Sequence, residues 1–350
     1  MKHRVMNRTK ATVVLVLVAT LRVVAQSGVA PEPALTPDGQ PHISGIFTFR
    51  TLTPLQRPLA LEGQDTLSLE EAATFEATER TRLNRDLFDP VSGAPSAGYQ
   101  SRAEGGVLSY NEFWYERGVE LTKDKRTSLV VDPPDGRIPF REAYQAGSRI
   151  RRLNNRNGFA DSYTDRTLAD RCIMGFNAGP PMVSSAYNNN VHILQVPGYV
   201  VIYAEMIHDT RIIPLSGGNH LPTSVRLWHG DARGRWDGNS LVVETTNLRR
   251  TEANAAAVGG DQILLRAANG RTDDTITVTE RFTRIGANTL DYEFTIEDPT
   301  QWTTSFSGEF PFTAFPAGEL ENLFEYACHE GNYSMTNILG GEREKEKALD

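Results

Sequence analysis

Three of the chain's seven histidines, His208, His220 and His229, fall between Gly198 and Asn247 together with Glu205, Asp209, Arg211 and Asp231. Imidazole changes charge near neutral pH, so a histidine there can take or give a proton, and a carboxylate against one ring nitrogen fixes which nitrogen carries it. His208 and His229 are the expected proton-transfer groups, with Glu205 and Asp231 as orienting or second acid–base groups and His329 joining them at the rim. Arg211 is the expected contact for an anionic group. Tyr203, Asp209, His220, Trp228 and Tyr333 complete the expected substrate contacts. His229 and Asp231 share a face if the chain is extended there, whereas His208 and Asp209, as neighbours in a strand, point oppositely.

Other chemistries have less to stand on. The chain has no Gly-x-Ser-x-Gly elbow, no phosphate-binding loop and no dinucleotide fingerprint. His208, His220, His229, Asp231 and His329 offer enough nitrogen and oxygen donors for a zinc ion, but their spacing matches no recognised zinc motif. Neither a metal nor an organic cofactor is expected. The reaction class that fits is therefore His/carboxylate acid–base chemistry on a small organic molecule, as a lyase, isomerase or hydrolase. From other classes, the alternatives are a periplasmic binding protein carrying a small apolar ligand and a structural protein of the envelope.

The elements that must position these residues are mostly strands. His192–Val196, Tyr199–Pro214, Ser224–Trp228, Leu241–Asn247, Thr275–Ile285, Thr289–Asp298, Trp302–Phe312 and Leu323–His329 read as strands, with hairpin turns at Asp237-Gly238-Asn239 and Gly286-Ala287-Asn288. Ile276, Val278 and Phe282 alternate with polar neighbours, as do Leu290, Tyr292, Phe294 and Ile296, so each strand has one face for a core. In Tyr199–Pro214, period two places Tyr203, Glu205, Asp209 and Arg211 in one row. Short antiparallel strands without intervening helices predict a mainly β fold, an antiparallel barrel or sandwich spanning 191–340. Ahead of it, 43–190 reads as a helix and loop-rich wrapping region. Its helix lies within Leu67–Leu87, where Ser68 and Glu71 have the spacing of a capping box. Residues 341–350 read as a charged tail.

Residues 1–25 have the order of a secretory signal peptide: Lys2, Arg4, Arg8 and Lys10, an apolar run from Ala11 to Leu21, then small residues before Gln26. The run is shorter than a membrane-spanning helix needs. A flexible mature N-terminus, 26–42, follows. Of the 36 basic residues five lie in this leader, and of the 44 acidic residues none does, leaving a net charge of −13 after cleavage. Such an acidic chain is a poor partner for nucleic acid. The expected location is the periplasm or the medium, with a small molecule as partner and no membrane span. Only two cysteines occur, Cys172 and Cys328, and an even count in an exported chain favours a disulfide between them.

Several blocks carry a resemblance: RTSLVVDPPDGRIP (126–139), DRCIMGFNAGPPM (170–182), YVVIYAEMIHDTRIIPL (199–215), WHGDARGRWDGNSLVVETTN (228–247), ERFTRIGANTLDYEFTIEDPTQW (280–302) and YACHEGNYSMTNIL (326–339). Through them the chain resembles a widespread family of exported bacterial proteins of unassigned activity. The resemblance implies export, one shared architecture and the Cys172/Cys328 pair, and brings no reaction. The strand pattern also looks like lipocalin-type barrels, an analogy of fold that does not imply function.

Overall fold

The computed structural model describes residues 34–84, 112–142, 160, 162–166, 168–175, 177–249, 276–315 and 322–348. The leader expected at 1–25 lies outside them. The described residues contain ten strands: β1 (Gly45–Thr48), β2 (Val130–Asp132), β3 (Asn190–Val196), β4 (Tyr199–Ala204), β5 (Thr210–Pro214), β6 (Asp231–Asp237), β7 (Ser240–Thr246), β8 (Thr277–Gly286), β9 (Thr289–Glu297) and β10 (Phe306–Ala314). Among the described residues two α-helices accompany them, α1 (Leu69–Leu83) and α2 (Ser334–Lys347).

Nine strands form one sheet in the order β5-β4-β3-β1-β10-β9-β8-β7-β6, and β2 pairs beside β10. Every neighbouring pair is antiparallel. Eight antiparallel steps leave the two end strands, β5 and β6, running the same way. They come together without a hydrogen-bonded ladder, closing the sheet into a nearly complete barrel. Gly234 of β6 permits the approach: a Cβ there would lie 2.8 Å from the Leu215 side chain and 2.9 Å from that of Ile213.

The alternation read from the sequence is the alternation of the barrel. Val278, Phe282, Leu290, Tyr292, Phe294 and Ile296 are at most 1% exposed and point inward, joined by Phe47, Phe306, Phe310 and Phe312. Tyr292 packs against Phe312 with centroids 4.7 Å apart and edge-on against Phe310 at 5.5 Å. Each such ring contributes roughly 2–3 kcal/mol through the apolar surface it removes from water.

The region before the barrel is held by polar anchors. Ser68 Oγ accepts from the Glu71 N–H while Glu71 Oε2 accepts from the Ser68 N–H, the capping box the spacing predicts. Glu76, buried on α1, accepts from Leu121 N–H and Lys125 Nζ, both at 2.9 Å, and so docks the helix on 121–125.

Several expectations are corrected. Tyr199–Pro214 is two strands, β4 and β5, separated by a tight turn at Met206–His208, so Arg211 pairs with Ile202 and shares its inward face instead of the row of Tyr203. Ser224–Trp228 and Leu323–His329 form no strand. The missing strand is β6, whose alternating Arg and Asp conceal Ala232, Gly234 and Trp236 on its inner side. The barrel is not confined to 191–340, because β1 comes from the preceding region and fills the place between β3 and β10. Residues 341–347 belong to α2.

Candidate functional site

The turn between β4 and β5 gathers most of the chemistry. Ile207 and His208 both have positive φ, 56° and 44°. For a β-branched residue this is a costly conformation, and such strain persists where surrounding structure imposes it. The turn throws His208 to the surface. Its Nδ1 lies 3.1 Å from the Tyr326 carbonyl oxygen, which can only accept, so Nδ1 carries the proton. Nε2 has no partner among the described residues.

Glu205, at the head of the same turn, is buried beside the barrel end. Its Oε2 accepts from Asn190 Nδ2 at 2.7 Å, and the same amide reaches both oxygens of Glu116 at 3.2 Å. Burial pushes the Glu205 carboxyl above its ordinary range; the Asn190 amide opposes this and the charge of Glu116 reinforces it. Arg50 stands 3.3 Å from Glu116 on the exposed side.

Asp209 faces the other way from His208. Its Oδ2 accepts from the Gly175 N–H at 2.8 Å and its Oδ1 lies 3.1 Å from His229 Nε2. His229 Nδ1 is 3.0 Å from the Gly179 carbonyl. Both nitrogens of His229 are thus engaged, and a proton must lie between Nε2 and Oδ1 for that contact to be a hydrogen bond. Gly230 makes this possible, since its φ of 73° turns the chain between His229 and β6.

The pairing of His229 with Asp231 expected from sequence is therefore replaced. Asp231 points to the outer side of β6, where its Oδ2 lies 2.9 Å from His220 Nδ1 and accepts from the Leu221 N–H, while Oδ1 accepts from Arg233. The second nitrogen of His220 is 3.0 Å from Glu244 Oε1. This cluster pins the loop ahead of β6 to the barrel wall, with its carboxylates and both imidazole nitrogens already occupied.

Arg211 cannot serve as an anion contact. It is buried inside the barrel with NH1 on Glu280 Oε1 at 3.0 Å and NH2 on Glu280 Oε2. Tyr292 Oη donates to Glu280 at 2.8 Å and accepts from the Met182 N–H at 2.9 Å. Burial alone would lower the Arg211 pKa; the facing Glu280 carboxylate outweighs it and raises it. The remaining expected contacts disperse. Tyr203 lies in an outer row with His192 and Thr210, and Trp228 is stacked by Arg249 at 4.6 Å. His329 and Tyr333 are exposed along the segment leading into α2. Among the described residues no set of three His, Cys, Asp or Glu side chains converges as a metal site.

Cys172 and Cys328 form a disulfide across 156 residues of sequence. The two loops it joins supply the Gly175 N–H and the Tyr326 carbonyl, backbone groups that residue types do not announce. Asn190 and Glu116 are likewise absent from the expected site residues, because an amide and an acid far apart in sequence carry no spacing signal. Glu280 is not among the expected site residues either, though it carries a signal that could have found it: it is an acid in the apolar row of an alternating strand.

No family model matches the chain, and no curated protein is similar to it. Among solved structures, the dehydratase domain of RzxB from Pseudomonas fluorescens is matched over 37% of this chain and 72% of that one, at 9% identity and a TM-score of 0.16. So low a score carries neither fold nor function across. No helix among the described residues is long and apolar enough to cross a membrane.

Proposed function

We propose that the protein is an exported enzyme that moves a proton on a small organic molecule, by lyase, isomerase or hydrolase chemistry, beside the barrel end at the Met206–His208 turn. One observation carries this reading: His208 keeps its proton on Nδ1 against the Tyr326 carbonyl and leaves Nε2 open to solvent. A neutral imidazole held in one tautomer with a free basic nitrogen is what a general base requires. His220 and His229, with both nitrogens engaged, are not available for that task in this arrangement. Glu205, on the same turn, retains a proton to higher pH than an ordinary glutamate because of its burial, and is the acid at hand. The positive φ at Ile207 and His208 fits a strained functional turn.

Export rests on the leader-like order of residues 1–25, and the crosslink agrees with an oxidising compartment. Carriage of an apolar ligand inside the barrel is less well supported, since the inward positions bear packed Phe and Tyr rings.

The test is a panel of small hydroxy acids, keto acids and activated esters incubated with the oxidised protein in D2O and followed by proton NMR. Deuterium incorporation or turnover is expected for at least one compound, reduced about 10²- to 10⁴-fold in His208→Ala and retained in His42→Ala. A silent panel, or a His208→Ala variant equal to the wild type, contradicts the reading.

A further inference from the structure

We infer that the disulfide between Cys172 and Cys328 is a positioning device for the site, setting the tautomer of His208 and the orientation of Asp209 through one closed ring of contacts. The catalytic consequence rests on the proton-transfer reading of His208; the positional claim stands on geometry alone.

Cys328 is two residues beyond Tyr326, and its N–H donates to the Tyr326 carbonyl at 2.9 Å, the same oxygen that accepts from His208 Nδ1 at 3.1 Å. On the other half, Cys172 closes a turn by donating its N–H to Ala169 O at 3.0 Å, and three residues later the Gly175 N–H reaches Asp209 Oδ2 at 2.8 Å. Asn332 Nδ2 lies 3.4 Å from Cys172 Sγ, a further link between the two loops. His208 and Asp209 are consecutive. A ring of nine residues therefore closes on itself: Tyr326 to Cys328, the S–S bond, Cys172 to Gly175, then Asp209 and His208 back to Tyr326.

The ring has one non-local covalent bond. Without it, the two loops lie 156 residues apart along the chain, and the entropy of bringing them together falls on weak contacts. Two single backbone hydrogen bonds, one to an exposed imidazole, hold against water only if their backbone partners are already fixed. Losing the crosslink frees the Tyr326 carbonyl, and His208 then returns to the Nε2–H tautomer that free histidine prefers in water. The nitrogen facing substrate then bears a hydrogen and no lone pair. Reduction by a dithiol does this chemically: two electrons and two protons convert the S–S bond to two thiols while the reagent closes to its own cyclic disulfide.

The experiment is 15N NMR of the histidine rings in the oxidised protein, in the folded protein after dithiol reduction, and in Cys172→Ser/Cys328→Ser. His208 is expected as the Nδ1–H tautomer in the first and mainly Nε2–H in the others, with His220 unchanged as a reporter of the intact barrel wall. On any compound the panel identifies, turnover is expected to fall roughly 10- to 100-fold on reduction, the scale of a small misplacement at a reacting centre. A shift of His208 alone supports the positioning claim even if the panel is silent, in which case only the proton-transfer reading fails. An unchanged His208 tautomer after reduction overturns the claim even if His208→Ala abolishes turnover. Simultaneous movement of His208 and His220 overturns it too, because the crosslink would then serve the whole fold.

Discussion

Arg211 and Glu280 meet inside the barrel as a two-pronged ion pair, with the Tyr292 hydroxyl donating to the same carboxylate at 2.8 Å. All three project into an interior whose lining is mainly apolar. Water is displaced around two opposite charges, so the pair's attraction is offset by the cost of desolvating each, and it contributes less to net stability than to forbidding either partner's absence.

Glu280→Ala is therefore expected to destabilise the fold by about 3–5 kcal/mol, because it strands the Arg211 charge in the interior. Urea unfolding at neutral pH measures this. A loss below about 1 kcal/mol would mean that the interior admits water to the guanidinium.

Asp291 makes stability depend on pH. On the outer side of β9, burial pushes it up to about 6, with Glu309 of β10 and Glu293 of its own strand raising it further and Arg126 opposing them. A raised folded-state pKa means that the native state binds this proton more tightly than the unfolded chain. The stabilisation is complete below the unfolded value near 4 and is lost as pH rises through about 6. Asp291→Asn should thus gain stability over the wild type progressively between those values. Asp291 is only partly buried, so the gain should level off at about 1–2 kcal/mol. Thermal unfolding of both proteins from pH 4 to 7 reads the difference, and parallel curves would contradict it.

Gly230 and Gly234 should not tolerate side chains, for different reasons. Gly230 has φ of 73° and a Cβ there would lie 2.5 Å from Thr245 Cγ2, while a Cβ on Gly234 would press on Ile213 and Leu215 across the β5–β6 seam. Alanine at either position is expected to cost about 1–3 kcal/mol. Only Gly230→Ala should also detach His229 from Asp209, visible as a change in the His229 ring resonances.

The sequence carried the architecture better than the site. Alternation in β8 and β9 gave their inward faces, and the Ser68/Glu71 spacing gave the start of α1, since local chemistry decides both. The site failed where non-local geometry decided. Treating 199–214 as one strand put Arg211 beside Tyr203, because nothing in residue types marks Ile207 and His208 as adopting positive φ. Pairing each histidine with its nearest acid gave His229 and Asp231, whereas the turn at Gly230 sends His229 to Asp209 and leaves Asp231 to His220. β6 is hard to read as a strand because its outer face is wholly charged, and β1 because four residues are too few for a pattern.

Of the three clustered histidines, only His208 has a ring nitrogen without a partner among the described residues. Diethyl pyrocarbonate acylates imidazole at an unprotonated, accessible nitrogen, and peptide mapping by mass spectrometry follows each histidine separately. Rapid modification of His208, with His220 and His229 reacting only after the protein is unfolded, is the predicted result. Protection of His208, or equal rates at all three, would contradict it.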